Sequence, residues 1–332
     1  MSPRQRRVGI EEEDQLDLET LEGIGPTTKQ KLMSAGVYSV IDLLVYSPTY
    51  LAEVLGTSVD RVIKLQEAAR KKLQQLGLIE EEFITADKIH ERSKAVSYIT
   101  TGSKHLDNLL MGGIETRAIT EFYGEFGTGK TQICHTLAVN VQLPKEMGGL
   151  SAPAIYIDTE MTFKPERIIQ IASAKGLDPH EALRNIVVAR ARGASHLMLL
   201  VKELPRKLRE TGARIVLIDS AVAPFRAEYI GRGQLAERQQ LLNVMMHDLI
   251  RIAELYDVAV VITNQVQAAP DVIYGDPTRP IGGHVVAHAV TYRIYLRKAK
   301  GNTRIASMVD SPKHPPGEAI FVITPEGIKD PS

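Results

Sequence analysis

One stretch constrains this chain more than any other: Gly124-Glu125-Phe126-Gly127-Thr128-Gly129-Lys130-Thr131. It fits G-x-x-x-x-G-K-[ST], with Gly124, Gly129, Lys130 and Thr131 in the defining positions. Glycines at that spacing let backbone N–H groups turn inward around phosphate oxygens, and a following helix adds its positive amino end. Lys130 then reaches the β- and γ-phosphates, and the Thr131 hydroxyl takes Mg²⁺. The flanks supply the required context. Ile119–Tyr123 reads as a strand, and Gln132–Val141 carries Ile133, Leu137 and Val141 at helical spacing.

From Ser93 onward, β-like apolar runs alternate with helical segments, which predicts an α/β fold with a largely parallel sheet. The clearest buried runs are Ala154–Ile157, Ile215–Ile218 and Val258–Thr263. They end in Asp158 to Glu160, in Asp219-Ser220 and in Asn264-Gln265. Ligands of open parallel sheets collect at that carboxyl edge, so these termini and the glycine loop converge on one site. Asp219 is then the carboxylate behind the Mg²⁺. Glu160 is the candidate to orient and deprotonate water attacking the γ-phosphate, with Asp158 its rival on the same side of the chain. Gln265 can hydrogen-bond the γ-phosphate and report its presence.

Ahead of this core the chain reads as three pieces: a mobile leader over 1–20, a small all-α domain over 21–78 and a linker over 79–92, with the core spanning 93–332. The leader mixes Arg4, Arg6 and Arg7 with acidic Glu11–Asp14 and has no apolar periodicity. The helical domain opens on Gly23-Ile24-Gly25-Pro26, which resembles a helix-hairpin-helix turn, with a weaker second copy at Leu55-Gly56-Thr57-Ser58. Such glycines expose N–H groups that take a DNA phosphate, although many hairpins of this kind only pack or bind protein. In the linker, Phe83-Ile84-Thr85-Ala86 follows an acidic run, and from the residues alone Phe83 folds back onto its own domain.

Composition narrows the setting. A single cysteine, Cys134, leaves no internal disulfide and no multi-cysteine metal site, and it reads as a small buried filler. No apolar run is long enough to span a bilayer and no secretory signal opens the chain, which fits a cytoplasmic protein. Net charge is +0, so any nucleic acid partner must meet local basic clusters. Two polar loops stand out. Arg226–Glu237 carries Tyr229 and Arg232 with Arg238 just beyond, and Ala268–His284 is rich in proline and glycine and forms no periodic element. The basic set Arg293, Arg297, Lys298, Lys300 and Arg304 reads equally as a solvated strand edge or a nucleic acid contact.

These segments together name a family. The phosphate loop, Tyr156-Ile157-Asp158-Thr159-Glu160, Phe225-Arg226-Ala227-Glu228-Tyr229, Gly231-Arg232-Gly233, Thr263-Asn264-Gln265-Val266 and Pro280-Ile281-Gly282-Gly283 resemble the RadA recombinases of archaea. Eukaryotic counterparts and bacterial RecA are more distant relatives. The resemblance runs from Leu21 to the carboxyl terminus, and it implies a RecA-like core behind a helix-hairpin-helix domain. It implies a DNA-dependent ATPase that forms filaments or rings, binds single-stranded DNA, and exchanges strands with homologous double-stranded DNA near the nucleoid.

By the same resemblance, the loop Gly124–Thr131 with Gln132 holds ATP and Mg²⁺, Glu160 is the catalytic carboxylate and Gln265 the γ-phosphate sensor. Arg167 lies against the adenine. Asp310 to Pro315 caps the ATP of the adjacent protomer, and His288 senses that nucleotide. Arg226, Tyr229, Arg232, Arg238, Gly282 and Gly283 belong to the loops lining the DNA channel. Phe83 and Ala86 match a plug that inserts into the neighbouring subunit, which reverses the folding-back reading. Three positions depart from the family's pattern: Met161 stands where many relatives have glycine, Ala269 where they often have arginine, and Lys313-His314 where an apolar pair is common. The rival reading is a nucleotide-dependent scaffold that binds a true recombinase without exchanging strands.

Overall fold

A computed structural model describes residues 15–268, 278–280 and 283–331. Most of the leader, Ala269 and Gly282 lie outside the described residues, as does the side chain of Arg232. The chain divides into two compact units: residues up to Lys94 together with Lys202–Arg206, and Ala95–Val201 together with Lys207 onward.

The first unit is helical because its sequence supplies stop and start signals at each turn. Pro26 and Pro48 open the helices Pro26–Ser34 and Pro48–Leu55, where a missing N–H costs nothing. Ser47 and Ser58 accept hydrogen bonds from the N–H groups of Tyr50 and Arg61, capping Pro48–Leu55 and Val59–Gln75. Gly56 ends the second helix at φ 64°, and Gly23 turns the first hairpin at φ 90°, conformations that favour glycine. Leu32, Val40, Leu43, Leu51, Val62, Ala69 and Leu73 close the core.

Two expectations change in this unit. The packed structure begins before Leu21: Leu16 and Leu18 are buried, and the Lys29 ammonium lies 2.6 Å from the Asp17 carboxylate. Residues 16–20 are therefore part of the domain and not of a mobile leader, since two leucines in an otherwise polar stretch suffice to anchor it. In the linker, Ala86–Ser93 forms a helix with no buried residue, and Phe83 is 94% exposed. Phe83 does not fold back onto its own domain.

The second unit is an α/β sheet. A small hairpin pairs β1 (Tyr98–Ile99) with β2 (Ile114–Glu115). The strands that follow are β3 (Ile119–Gly124), β4 (Ala154–Asp158), β5 (Ile186–Arg190), β6 (Ile215–Asp219), β7 (Ala259–Ala268) and β8 (Thr278–Pro280). The chain closes with β9 (Tyr292–Lys298), β10 (Thr303–Asp310), β11 (Glu318–Thr324) and β12 (Gly327–Lys329). The main sheet runs β12-β11-β10-β9-β3-β7-β6-β4-β5. Six of these strands, from β9 to β5, are parallel to one another, and β10, β11 and β12 append an antiparallel flank. β3, β4 and β6 are buried along their whole length, as expected for strands covered on both faces. The helix Lys130–Asn140 is buried from Ile133 to Asn140, so it has no solvent face to pattern.

Register brings the polar ends together. Gly124 pairs with Gln265 across β3 and β7, and Asp158 pairs with Asp219 across β4 and β6. Two loops differ from the sequence reading. Arg226–Glu237 is mostly helical, lying in the helix Ala223–Glu228, a 3-10 turn Arg232–Gln234 and the start of the helix Leu235–Leu255. Ala268–His284 contains β8 and the start of the helix Gly283–Ala289, because β7 runs on past Gln265 and offers Val266–Ala268 as an edge for Thr278–Pro280.

Candidate functional site

Gly124 ends β3 because no side chain fits there: a Cβ would run into the Leu296 carbonyl. Gly127 and Gly129 adopt φ 75° and 104°, which turns successive N–H groups toward one centre. Lys130 opens the helix and folds back, donating to the carbonyls of Gly124 and Glu125 at 2.8 Å each. Thr128 closes the loop with a 2.9 Å bond to the Glu125 carbonyl. Burial pulls the Lys130 ammonium below its ordinary pKa, while Asp219 and Glu160 pull it back up. Phe126, at the tip, is 91% exposed.

This is a cradle for a polyphosphate, and the donor set beside it suits a hard cation. Asp219 ends β6, its carboxylate accepting from Thr263 Oγ1 at 2.5 Å and from Tyr156 Oη at 2.9 Å. Thr131 and Asp219 offer hydroxyl and carboxylate oxygens. Among the described residues no cluster of three His, Cys, Asp or Glu could form a protein-only cage. Mg²⁺ shared between one or two protein oxygens and phosphate is the pattern that fits.

Asp158 and Glu160 differ in their hydrogen bonds. Asp158 is buried and accepts from the backbone N–H groups of Glu160, Thr162 and Phe163 at 3.1–3.2 Å. It builds the turn and has little capacity left for a water. Glu160 is exposed on that turn, and Gln265 Nε2 donates to its Oε1 at 3.2 Å. Met161 follows at φ 58° and is 72% exposed, a left-handed residue where glycine would sit without strain.

Gln265 also lines a cleft of about 310 Å³ with Ser220, Ala223, Arg226 and Ala227. Arg226 is exposed, while Tyr229 and Arg238 are half-buried. Arg167 is clamped edge-on: its donors reach Gln132 Oε1 at 2.8 Å, Gln170 Oε1 at 2.5 Å and the Thr324 and Pro325 carbonyls at 2.5 and 2.6 Å. His288 is exposed, and Asp310 and Pro315 are exposed on either side of the turn after β10.

Several functional side chains escaped the sequence reading. His135 Nδ1 lies 2.7 Å from the Thr131 carbonyl, and its Nε2 accepts from the Lys164 N–H at 3.0 Å. The first contact requires an N–H and the second a lone pair, so the ring is neutral and ties the phosphate-loop helix to the turn bearing Glu160. Its place one helical turn after Thr131 was the available signal. Thr263 and Tyr156 belong to segments that carry the family resemblance without an assigned role of their own, and both donate to Asp219. Buried Glu121 accepts from Asn264 Nδ2 at 2.8 Å and from Arg293 Nε at 2.6 Å, linking β3, β7 and β9. Burial raises the Glu121 pKa, and Arg293 and Asn264 oppose that.

The basic cluster accordingly comes apart. Arg293 is a buried ion-pair partner, Arg297 bridges to Glu318 at 2.7 Å, and Arg304 bonds the Thr303 carbonyl at 2.8 Å. Lys298 and Lys300 are exposed. Cys134 is buried, and burial holds its thiol well above the ordinary pKa.

Comparison with known proteins agrees with this geometry. The profile of the Rad51 family matches residues 91–331, and that of a SAM-like helix-hairpin-helix tandem matches residues 16–71. The DNA repair and recombination protein RadA of Cenarchaeum symbiosum (strain A) is 49% identical over 317 residues, covering 96% of this chain and 80% of that protein. Among the described residues no helix is long and apolar enough to cross a membrane.

Proposed function

The chain belongs to the Rad51 family, and on that premise we propose that it assembles on single-stranded DNA as a filament, with ATP and Mg²⁺ between neighbouring copies. It is a nucleotide-binding, DNA-dependent ATPase of homologous recombination and DNA repair, as members of this family are. The filament pairs its strand with a homologous duplex in the cytoplasm, beside the nucleoid.

The roles follow the chemistry. The Gly124–Thr131 loop and Gln132 bind the triphosphate, with Thr131 and Asp219 on Mg²⁺, which supplies charge neutralisation at the transferring phosphate. Lys130 neutralises developing charge, and Glu160 orients and deprotonates the attacking water. Arg167 stacks on the adenine. Asp310, Pro315 and His288 meet the nucleotide of the adjacent copy. Arg226, Tyr229, Arg232, Arg238, Gly282 and Gly283 take the DNA backbone, so binding falls steeply with salt. Phe83 and Ala86 dock into the neighbouring copy. The domain reading is carried forward with its leader shortened to about Gln15.

The single observation that carries this reading is the Gln265–Glu160 hydrogen bond at the mouth of the cleft that Arg226 lines. Gln265 hydrogen-bonds Glu160 and lines the same cleft as Arg226, which supports a coupling between hydrolysis and DNA. Purified protein with single-stranded DNA and a non-hydrolysable ATP analogue should form helical filaments in electron micrographs and joint molecules with a homologous duplex. Nucleotide binding with neither product would make it a scaffold instead.

A further inference from the structure

Lys313-His314 closes the turn after β10. The turn is built around Ser311, whose Oγ accepts from the N–H groups of Lys313 and His314 at 3.1 and 2.8 Å and lies 2.6 Å from His314 Nδ1. His314 is buried edge-on against Tyr292, with ring centroids 4.9 Å apart. The Lys313 ammonium pairs with the Glu115 carboxylate and lies 3.1 Å from Tyr98 Oη. It also sits 5.2 and 5.4 Å from the ring centroids of Tyr98 and Tyr292. Tyr292 Oη donates to the same Glu115 oxygen at 2.7 Å.

The Lys313 ammonium thus lies beside one carboxylate and two aromatic rings, on a residue that remains exposed. The Lys313 and Glu115 side chains are only 35% and 18% exposed, so this pair is screened less than a surface one. Burial lowers the Lys313 pKa, and the Glu115 and Tyr98 contacts outweigh it and hold the ammonium charged.

We propose that Lys313, through Glu115, is the positioning residue of the nucleotide cap, fixing where Asp310 and Pro315 meet the triphosphate of the next copy. This rests on the cap reading given above. An ion pair to the β1–β2 hairpin anchors this turn, so the grip on nucleotide becomes sensitive to charge.

The test is steady-state hydrolysis by the full chain at saturating single-stranded DNA. Lys313→Ala and Glu115→Gln should each raise the apparent KM for ATP about ten-fold with kcat within about two-fold, the split expected when a binding contact is lost. Exchanging the charges, Lys313→Glu with Glu115→Lys, should return KM toward the parent value. Adding Lys130→Ala copies, which carry an intact cap, should restore a low KM to Lys313→Ala chains. An unchanged KM in Lys313→Ala, with a raised KM in Asp310→Ala, overturns the positioning role and leaves the cap standing. No rise in either variant removes both. Failure of the charge exchange to restore KM assigns the effect to the fold of the turn, which also overturns the proposal.

Discussion

The phosphate loop and the turn Ser311–His314 both end strands of one sheet, and they are fastened in different ways. The loop holds itself: Lys130 and Thr128 bond carbonyls three to six positions earlier. The turn has local bonds from Ser311 as well, but its lysine is anchored by Tyr98 and Glu115, which lie 215 and 198 positions away. Short-range fastening can be written as a motif, whereas long-range fastening exists only once the sheet has brought its partners together.

The sharpest way to break the comparison is at the loop. Lys130→Ala removes both the local clasp and the charge on the phosphates, and ATP turnover should fall by about 10³-fold, roughly 4 kcal/mol of transition-state stabilisation. Turnover near the parent rate would show that the loop was misread. Arg293→Leu tests the remote kind of fastening. It strands Glu121 in the interior, and chemical denaturation should register a loss of about 3–5 kcal/mol. A loss under about 1 kcal/mol would mean that the network linking β3, β7 and β9 is dispensable.

Glu160→Gln should slow hydrolysis by about 10²-fold while ATP-dependent DNA binding survives. If both disappear, Glu160 supports the turn in the way Asp158 does. The smallest effect belongs to His135. Burial lowers its pKa, so stability is fully present above the ordinary histidine value and is lost as pH falls from there through the lowered folded value. Melting temperature should drop between neutral and mildly acidic pH, and less so in His135→Gln. Equal drops in both proteins would remove His135 as the cause.

The same contrast explains what could be read from the chain. The phosphate loop, the buried strands and their polar ends follow from local spacing. Asp219, Glu160 and Gln265 stand at the carboxyl edge of the sheet, beside the loop. Asp158 could not be separated from Glu160, because the difference lies in three backbone N–H groups that face one carboxylate only after the turn forms. The helices within Arg226–Glu237 were missed because glycines at 231 and 233 interrupt any periodic pattern. The pairing of Arg293 with Glu121 and of Lys313 with Glu115 was illegible for a different reason. Each partner lies on another strand, and charge spacing along one segment carries no information about it.

Gly124 and Gln265 face each other on adjacent strands. Whatever passes from the triphosphate to the polynucleotide side therefore crosses a single interstrand gap of about 4.8 Å. On the proposed function, substitutions at Gln265 should uncouple the two ligands more than substitutions in the core strands behind it.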